Sequence, residues 1–210
     1  MGDKNIFSEQ VDRYEEWFKK NDLIFQSEID AIRKVSPVFE SGIEIGVGTG
    51  IFASRLGIKD GIEPSMEMAN KAVMRGINVI NAYAEQMPIA DGIYKIALMV
   101  TVDCFLSDLR LALSEIRRIL LDDGDLIIAF IDRDTELGQM YQQNKSSDIF
   151  YKDANFHSAN EMLNLLSDVG FEVIDKRQTI FSFKNEIQEI REGTGEGVFA
   201  VIKARKIGMI

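Results

Sequence analysis

The sequence predicts an α/β domain: a mostly parallel sheet with helices on both faces. Three observations carry that expectation. From Gly42 to Ile131, short apolar runs alternate with amphipathic segments through five successive units, the pattern of strand–helix–strand repeats. The run Leu126–Ile131 is apolar throughout, as a strand buried on both faces requires. Before these units, apolar residues fall at helical spacings up to the Ser36-Pro37 break.

The elements follow in order. Val11, Tyr14, Trp17 and Phe18 recur at intervals of three and four, and Phe25, Ile29 and Ile32 continue the stripe, so residues up to 35 read as helix. Ser36-Pro37 ends it, because the residue before proline avoids the helical region. Ile43–Ile45 reads as a strand leading into a glycine loop, and Phe52–Leu56 as a helix closed by Gly57. Ile58–Ile62 is a second strand. Ser65 is placed to cap a helix over Met66–Arg75, with Gly76 as its left-handed stop. Ile77–Asn81 and Tyr94–Val100 read as the third and fourth strands. Leu109, Leu113, Ile116 and Leu120 mark one helical face before the fifth strand, Leu126–Ile131. Residues 132–156 look polar and irregular, suiting a loop or lid. Ser158-Ala159-Asn160-Glu161 matches a capping box that opens a helix to Gly170. Phe171–Phe183 and Gly197–Lys206 then suggest a hairpin at a sheet edge.

Composition removes several function classes. A chain of 210 residues with 46% hydrophobic and 28% charged content suits one soluble domain that needs no metal or disulfide staple. The 34 acidic and 24 basic residues give a net charge of −10, which repels phosphate backbones and argues against nucleic acid as a partner. One His and one Cys, His157 and Cys104, cannot build a zinc set or an intrachain disulfide, and a Ser-His-Asp triad would have to use His157. The opening Met-Gly-Asp-Lys-Asn lacks the apolar core of a signal peptide, and no run approaches the length of a membrane span. A cytoplasmic protein without stable membrane association is the expectation.

The sharpest motif is Glu44-Ile45-Gly46-Val47-Gly48-Thr49-Gly50, where a strand becomes a helix. Glycines there let backbone approach a ligand, and a helix N-terminus offers free N–H groups. A dinucleotide fingerprint would need a sixth-position glycine, but that residue is Ile51. Glu44 would also be unwelcome beside a diphosphate, and an N–H-rich turn with a neighbouring carboxylate suits an amino-acid zwitterion better. A tight turn made for packing is the plainer alternative. Glu63, at the end of the next predicted strand and 17 residues past Gly46, is placed to accept from both hydroxyls of a ribose. A solvent-facing strand-end Glu is the alternative there.

With these residues in place, the chain resembles the class I S-adenosylmethionine-dependent methyltransferases, in particular the ubiquinone/menaquinone-type small-molecule branch. The resemblance runs from about residue 8 to 206. It rests on Glu44–Gly50, on Gly61-Ile62-Glu63-Pro64-Ser65, and on Tyr83-Ala84-Glu85-Gln86-Met87-Pro88. Leu113–Leu120 before Gly124, and Phe156-His157-Ser158 through Gly170-Phe171-Glu172, add to it, as does Tyr14-Glu15-Glu16-Trp17-Phe18. It implies a Rossmann-like, seven-stranded, mostly parallel sheet with a C-terminal β-hairpin. Residues 1–36 would form an N-terminal helical lid on a single cofactor-binding domain, 37–210. The cofactor implied is S-adenosyl-L-methionine, and the partner a small-molecule methyl acceptor such as an amine or amino acid.

The resemblance also implies roles. Glu44 would hold the methionine ammonium, directly or through water, with Gly46, Val47 and Gly48 lying along the cofactor. Glu63 would take the ribose, Pro64 and Ser65 would edge the adenine, and Ala84 and Glu85 would sit at the far edge of the ring. Thr101 and Val102 would border the methionine part and the reacting methyl, and Tyr14 would reach in from the lid. Three positions depart from the family pattern: Tyr83 stands where Asp is usual, Lys95 where an acidic residue is usual, and Asp123-Gly124-Asp125 where Pro-Gly-Gly is usual. No general base is evident. Asp103 could meet substrate or be a simple loop residue, and His157 reads as a surface or capping residue. Cys104, Trp17 and Phe18 read as packing groups, while Asp132 and Asp134 could face a cationic substrate or solvent. A non-catalytic S-adenosylmethionine-binding protein and a nicotinamide-dependent oxidoreductase are the rival readings.

Overall fold

The computed structural model describes residues 5–208; Met1 to Lys4 and the last two residues of the expected domain lie outside the described residues. Its centre is one sheet of eight strands in the order β3-β2-β1-β4-β5-β8-β6-β7. β1 (Gly42–Ile45), β2 (Asp60–Ile62), β3 (Asn78–Ile80), β4 (Tyr94–Val100) and β5 (Leu120–Ile131) are parallel to their neighbours. β8 (Phe199–Lys206) inserts antiparallel between β5 and β6 (Phe171–Thr179). The predicted closing hairpin is therefore an antiparallel pair, with the later strand on the inside. Its long connection adds β7 (Arg191–Glu192), an eighth strand where seven were expected, at the outer edge of β6.

Two further expectations are corrected. β5 begins at Leu120, which pairs with Tyr94 before the register shifts and resumes at Asp125 opposite Ile96; the Asp-rich stretch between carries no apolar signature. Within 132–156 the chain forms a helix, α7 (Glu136–Asn144), whose N-cap Thr135 accepts from the Gly138 amide at 3.0 Å. That helix is half-exposed and short, so its polar residues hide the period.

The predicted N-terminal stretch is three helices, α1 (Asn5–Glu9), α2 (Val11–Lys20) and α3 (Asp22–Val35). α3 buries Phe25, Ile29 and Ile32 and lies on β6, β8 and β5. Asn185, in the β6–β7 connection, caps its start by accepting from the Leu23 amide (3.0 Å) and the Ile24 amide (3.3 Å). α1 and α2 are held from the other side. Ser8 bonds Ser65 (2.8 Å), and Asp12 and Glu15 pair with Lys71 and Arg75 (3.1 and 2.6 Å) of or beside α5 (Met66–Met74).

Apolar side chains cover both sheet faces, since β4 and β5 alternate their residues between two clusters. Leu98, Val100, Ile127 and Ala129 meet α3 and α4 (Ile51–Leu56). Ala97, Met99, Ile128 and Phe130 meet α6 (Leu109–Ile119) and α8 (Ala159–Asp168). Because Glu44 lies between Ile43 and Ile45 of the second cluster, its side chain points into the α3–α4 layer.

The capping box predicted at Ser158 is formed: Ser158 Oγ accepts from the Glu161 amide (3.2 Å), and Glu161 Oε2 accepts from the Ser158 amide (2.9 Å). Ser158→Ala is expected to cost about 1 kcal/mol, read as a lower urea midpoint with an unchanged slope. An unaltered midpoint would remove the box from the fold's support.

Candidate active site

The strand order reverses between β1 and β4, and ligands of open α/β sheets bind outside the carboxyl ends of strands at such a point. Here the loops leaving β1, β2 and β4 open onto one cavity of about 1050 Å³. Its lining runs from Ile62 and Glu63, after β2, to Val198 and Phe199, at the start of β8. Those positions are separated by the widths of β1, β4 and β5, so the space spans roughly 19 Å across strands spaced about 4.8 Å apart.

The β1 loop is shaped by its glycines. Gly46 sits at φ +71°, and a Cβ there would come within 2.5 Å of Val102. Gly48, at φ +53°, would find only the Tyr14 hydroxyl, at 3.9 Å, so its bare face belongs to the cavity. Val47 between them turns into the core against Gly61 and does not line the cavity. On the far side of the switch point, Thr101 holds a left-handed φ of +50°, a strained conformation for a branched residue, and Val102 follows it into the wall.

Glu63 joins two of these loops. Its Oε2 accepts from the Gly48 amide at 2.9 Å and its Oε1 from the Ser65 amide at 2.8 Å. Burial raises its pKa, and the two amides partly oppose that. Asn81 fixes the turn beneath by donating to the carbonyls of Glu63 (2.9 Å) and Pro64 (3.0 Å). Pro64, Ser65, Ala84 and half-exposed Tyr83 continue the wall. Glu85 also reaches the lining, but its Oε1 accepts from the Ser107 amide (2.9 Å) and hydroxyl (2.8 Å), so its side chain braces the loop before α6.

Glu44 does not line the cavity. It is 2% exposed, its Oε2 has no hydrogen-bond partner, and burial pushes its pKa well up, with the Ala53 amide as a partial offset. The charge of Glu44 is felt by the Tyr14 phenol, which lines the cavity and is itself raised by burial. A buried carboxyl oxygen left without a partner is costly until a donor group reaches it. That orphan, the open face of Gly48 and the N–H-braced Glu63 fit a ligand with an ammonium at one end and a ribose at the other.

Several residues singled out in the sequence stand elsewhere. Asp103 and His157, taken separately there, form a pair (Oδ2 to Nδ1, 2.9 Å) outside the cavity lining. Asp132 spends its Oδ1 on the amides of Asp134 (3.2 Å) and Ala159 (3.1 Å) rather than on a substrate. Lys95 pairs with Asp123 at 2.8 Å on the surface. Cys104 does line the cavity, with burial raising its thiol pKa, so it is no thiolate nucleophile. Trp17 and Phe18 line it too.

The sequence did not reveal the other end of the cavity. Tyr141, Phe150 and Tyr151 from the expected loop, with Phe105 and Phe183, make an aromatic chamber, and Glu28 of α3 lines the same cavity with its charge felt by Tyr141 and Tyr151. Phe105 stacks on Tyr151 (5.8 Å, 12°), and Tyr141 meets Tyr151 and Phe183 edge-on (5.7 and 5.6 Å). Four aromatics among the 25 residues 132–156 were the available signal.

Comparison with known proteins assigns the class. Residues 11–176 match the family model described as a methyltransferase domain, and the chain belongs to that family. It is a methyltransferase with the expected Rossmann-like fold. A crystal structure from Thermotoga maritima is 42% identical with a TM-score of 0.92, over 96% of this chain and 98% of that one. That protein is described as a "SAM-dependent methyltransferase, possible histamine N-methyltransferase". An uncharacterized Methanocaldococcus jannaschii protein is 42% identical over 97% of this chain and all of its own length. An uncharacterized Mycobacterium tuberculosis protein is 36% identical over 80% of this chain, which spans 60% of that relative.

Glu28 gives a pH signature. Burial raises its pKa from 4.5 to about 8. The unfolded chain then loses this proton first, so stability falls as pH rises from about 4.5 through about 8. Glu28→Gln is expected to raise Tm by about 3–8 °C at pH 8 and by little at pH 4.5, read by thermal unfolding. An equal shift at both pH values would contradict a buried, protonated Glu28.

Proposed function

We propose that this enzyme methylates a small-molecule acceptor enclosed within its cavity, with S-adenosyl-L-methionine as the methyl donor. The carrying observation is one continuous cavity that joins the Gly48–Glu63 loops to an aromatic chamber. The 42% identity to the Thermotoga enzyme supports the donor. An acid-lined space in a chain of net charge −10 favours a small acceptor over nucleic acid. Composition favours a cytoplasmic setting, and among the described residues no helix is long and apolar enough to cross a membrane.

When bound, the donor supplies a sulfonium methyl that needs no further activation. The chain's work is therefore to align a nucleophile about 3 Å away and to exclude water. In this reading Glu44, behind the cavity wall, supplies the counter-charge for the methionine ammonium directly or through water, and the backbone of Gly46, Val47 and Gly48 runs beside the ligand. Glu63 keeps its two amide contacts and accepts the ribose hydroxyls on its remaining lone pairs. Pro64 and Ser65 edge the adenine, and Ala84 and Glu85 close its far side. Thr101 and Val102 flank the reacting methyl, and Tyr14 closes from α2.

Calorimetric titration with S-adenosylhomocysteine tests this. Micromolar binding is expected, weakened at least ten-fold by Glu63→Ala, whose partners at Gly48 and Ser65 are local, and weakened similarly by Glu44→Gln. No binding at millimolar ligand, or binding indifferent to both changes, would sink the reading.

A further inference from the structure

Six carboxylates line the cavity, those of Glu28, Glu63, Glu67, Glu85, Asp148 and Asp153, and among the described residues no Lys, Arg or His does. An acceptor bearing a carboxylate or phosphate would therefore meet carboxylates and no cationic side chain among the described residues. Most of these acids have local work. Glu63 and Glu85 hold loop amides, Glu67 accepts from Ser65 (3.4 Å), and Asp148 accepts from the amides of Phe150 (2.8 Å) and Tyr151 (3.0 Å). Glu28 has neither a hydrogen bond nor an ion pair among the described residues, and burial alone shifts it. It stands on α3 inside the aromatic chamber, where its charge is felt by the phenols of Tyr14, Tyr141 and Tyr151.

We propose that this chamber is the acceptor subsite, built for a protonated monoamine without carboxylate or phosphate, with Glu28 as its counter-charge and the aromatic rings as its walls. The inference rests on the methyl-transfer reading above and adds to it the acceptor's class and the residue that selects it. Aromatic faces attract an ammonium in addition to the carboxylate, and the attraction grows when water is excluded. The unpaired Glu28 destabilises the free protein, as the residues of a binding site do when their partner is absent. To accept a methyl, the bound nitrogen gives one proton to the Glu28 carboxylate. The lone pair so freed forms the N–C bond as the S–C bond breaks with its electron pair left on sulfur.

The chamber's titration supports the assignment. Tyr14 from α2, Tyr141 from α7 and Tyr151 from the following segment face Glu28, and burial holds all three phenols neutral through the working range. Asp148 and Asp153 share the wall. Near pH 7 Glu28 carries a proton in the free enzyme, and an arriving ammonium drives that proton out.

The test uses the full chain saturated with S-adenosylhomocysteine and two matched pairs of probes, tyramine with tyrosine and histamine with histidine. Calorimetry is expected to give at least ten-fold tighter binding of each amine than of its amino acid. Glu28→Gln is expected to weaken amine binding at least ten-fold while S-adenosylhomocysteine binding stays within two-fold. Tyramine titrated at pH 7 in phosphate and in Tris is expected to release close to one proton from the wild type, a readout that needs no variant, and none from Glu28→Gln. Amino acids binding as well as amines, no amine binding, or no proton release would overturn the inference while leaving the donor site intact. Failure of the wild type to bind S-adenosylhomocysteine would overturn the parent reading and this one together.

Discussion

Two backbone amides from different loops meet on one carboxylate, and the cofactor end of the cavity depends on that meeting. Glu63 accepts from Gly48 on one oxygen and Ser65 on the other, so the turns after β1 and β2 cannot move independently. Hydrogen bonds to an ionised acceptor are stronger than neutral ones, and burial around Glu63 strengthens them further. The arrangement fixes the bare face of Gly48 towards the cavity and seats Ser65 as the cap of α5, accepting from the Met68 amide at 3.3 Å. α5 in turn anchors α1 and α2 through Ser8, Asp12 and Glu15. One side chain thereby sets both the floor of the site and the position of its roof.

The second constraint is electrostatic. Glu44 is a buried acid with one unpartnered oxygen, and Glu28 a half-buried one facing the cavity. Neither has a counter-charge among the described residues, burial raises the pKa of both, and each lowers the stability of the free chain at neutral pH. Packing gives no reason for either, because Met or Gln would fill the same volume without the desolvation cost. Burial of a lone carboxyl makes sense where a cation arrives from outside. On the proposed reading, the methionine ammonium and an acceptor amine are two such cations.

The sheet was legible because its signals are local. Tyr94–Val100 is a strand in both sequence and structure, and the Gly57 and Gly76 stops and the Ser158 box each act within a few residues. β7 escaped because a two-residue strand has no periodicity, and α7 because a half-exposed helix carries a weak apolar stripe. The same division applies to the site. Glu44–Gly50 and Glu63 were readable, since a strand-end loop places its own residues. The Asp103–His157 pair was not, because its members lie 54 positions apart and meet only through the packing of α8 beside β4's exit. Glu28 was hidden by its setting, one of three acids (with Asp22 and Asp30) in a helix whose apolar residues read as ordinary core.

That division has a functional consequence. Apart from Tyr14 of α2, the residues proposed for the donor end stand on β1 or on loops leaving β1, β2, β3 or β4, so their geometry is tied to sheet register. The aromatic chamber draws mainly on α2, α3, α7 with the segment after it, and the β6–β7 connection, with Phe105 of the loop leaving β4 as a further wall. Exchanging Tyr141, Phe150 or Phe183 would reshape the chamber without disturbing the Glu63 bridge, because none of them shares a hydrogen bond with it. On the proposed reading, donor recognition is thereby tied to the sheet while acceptor recognition sits mostly on other parts, with Tyr14 and the β4 loop shared between them.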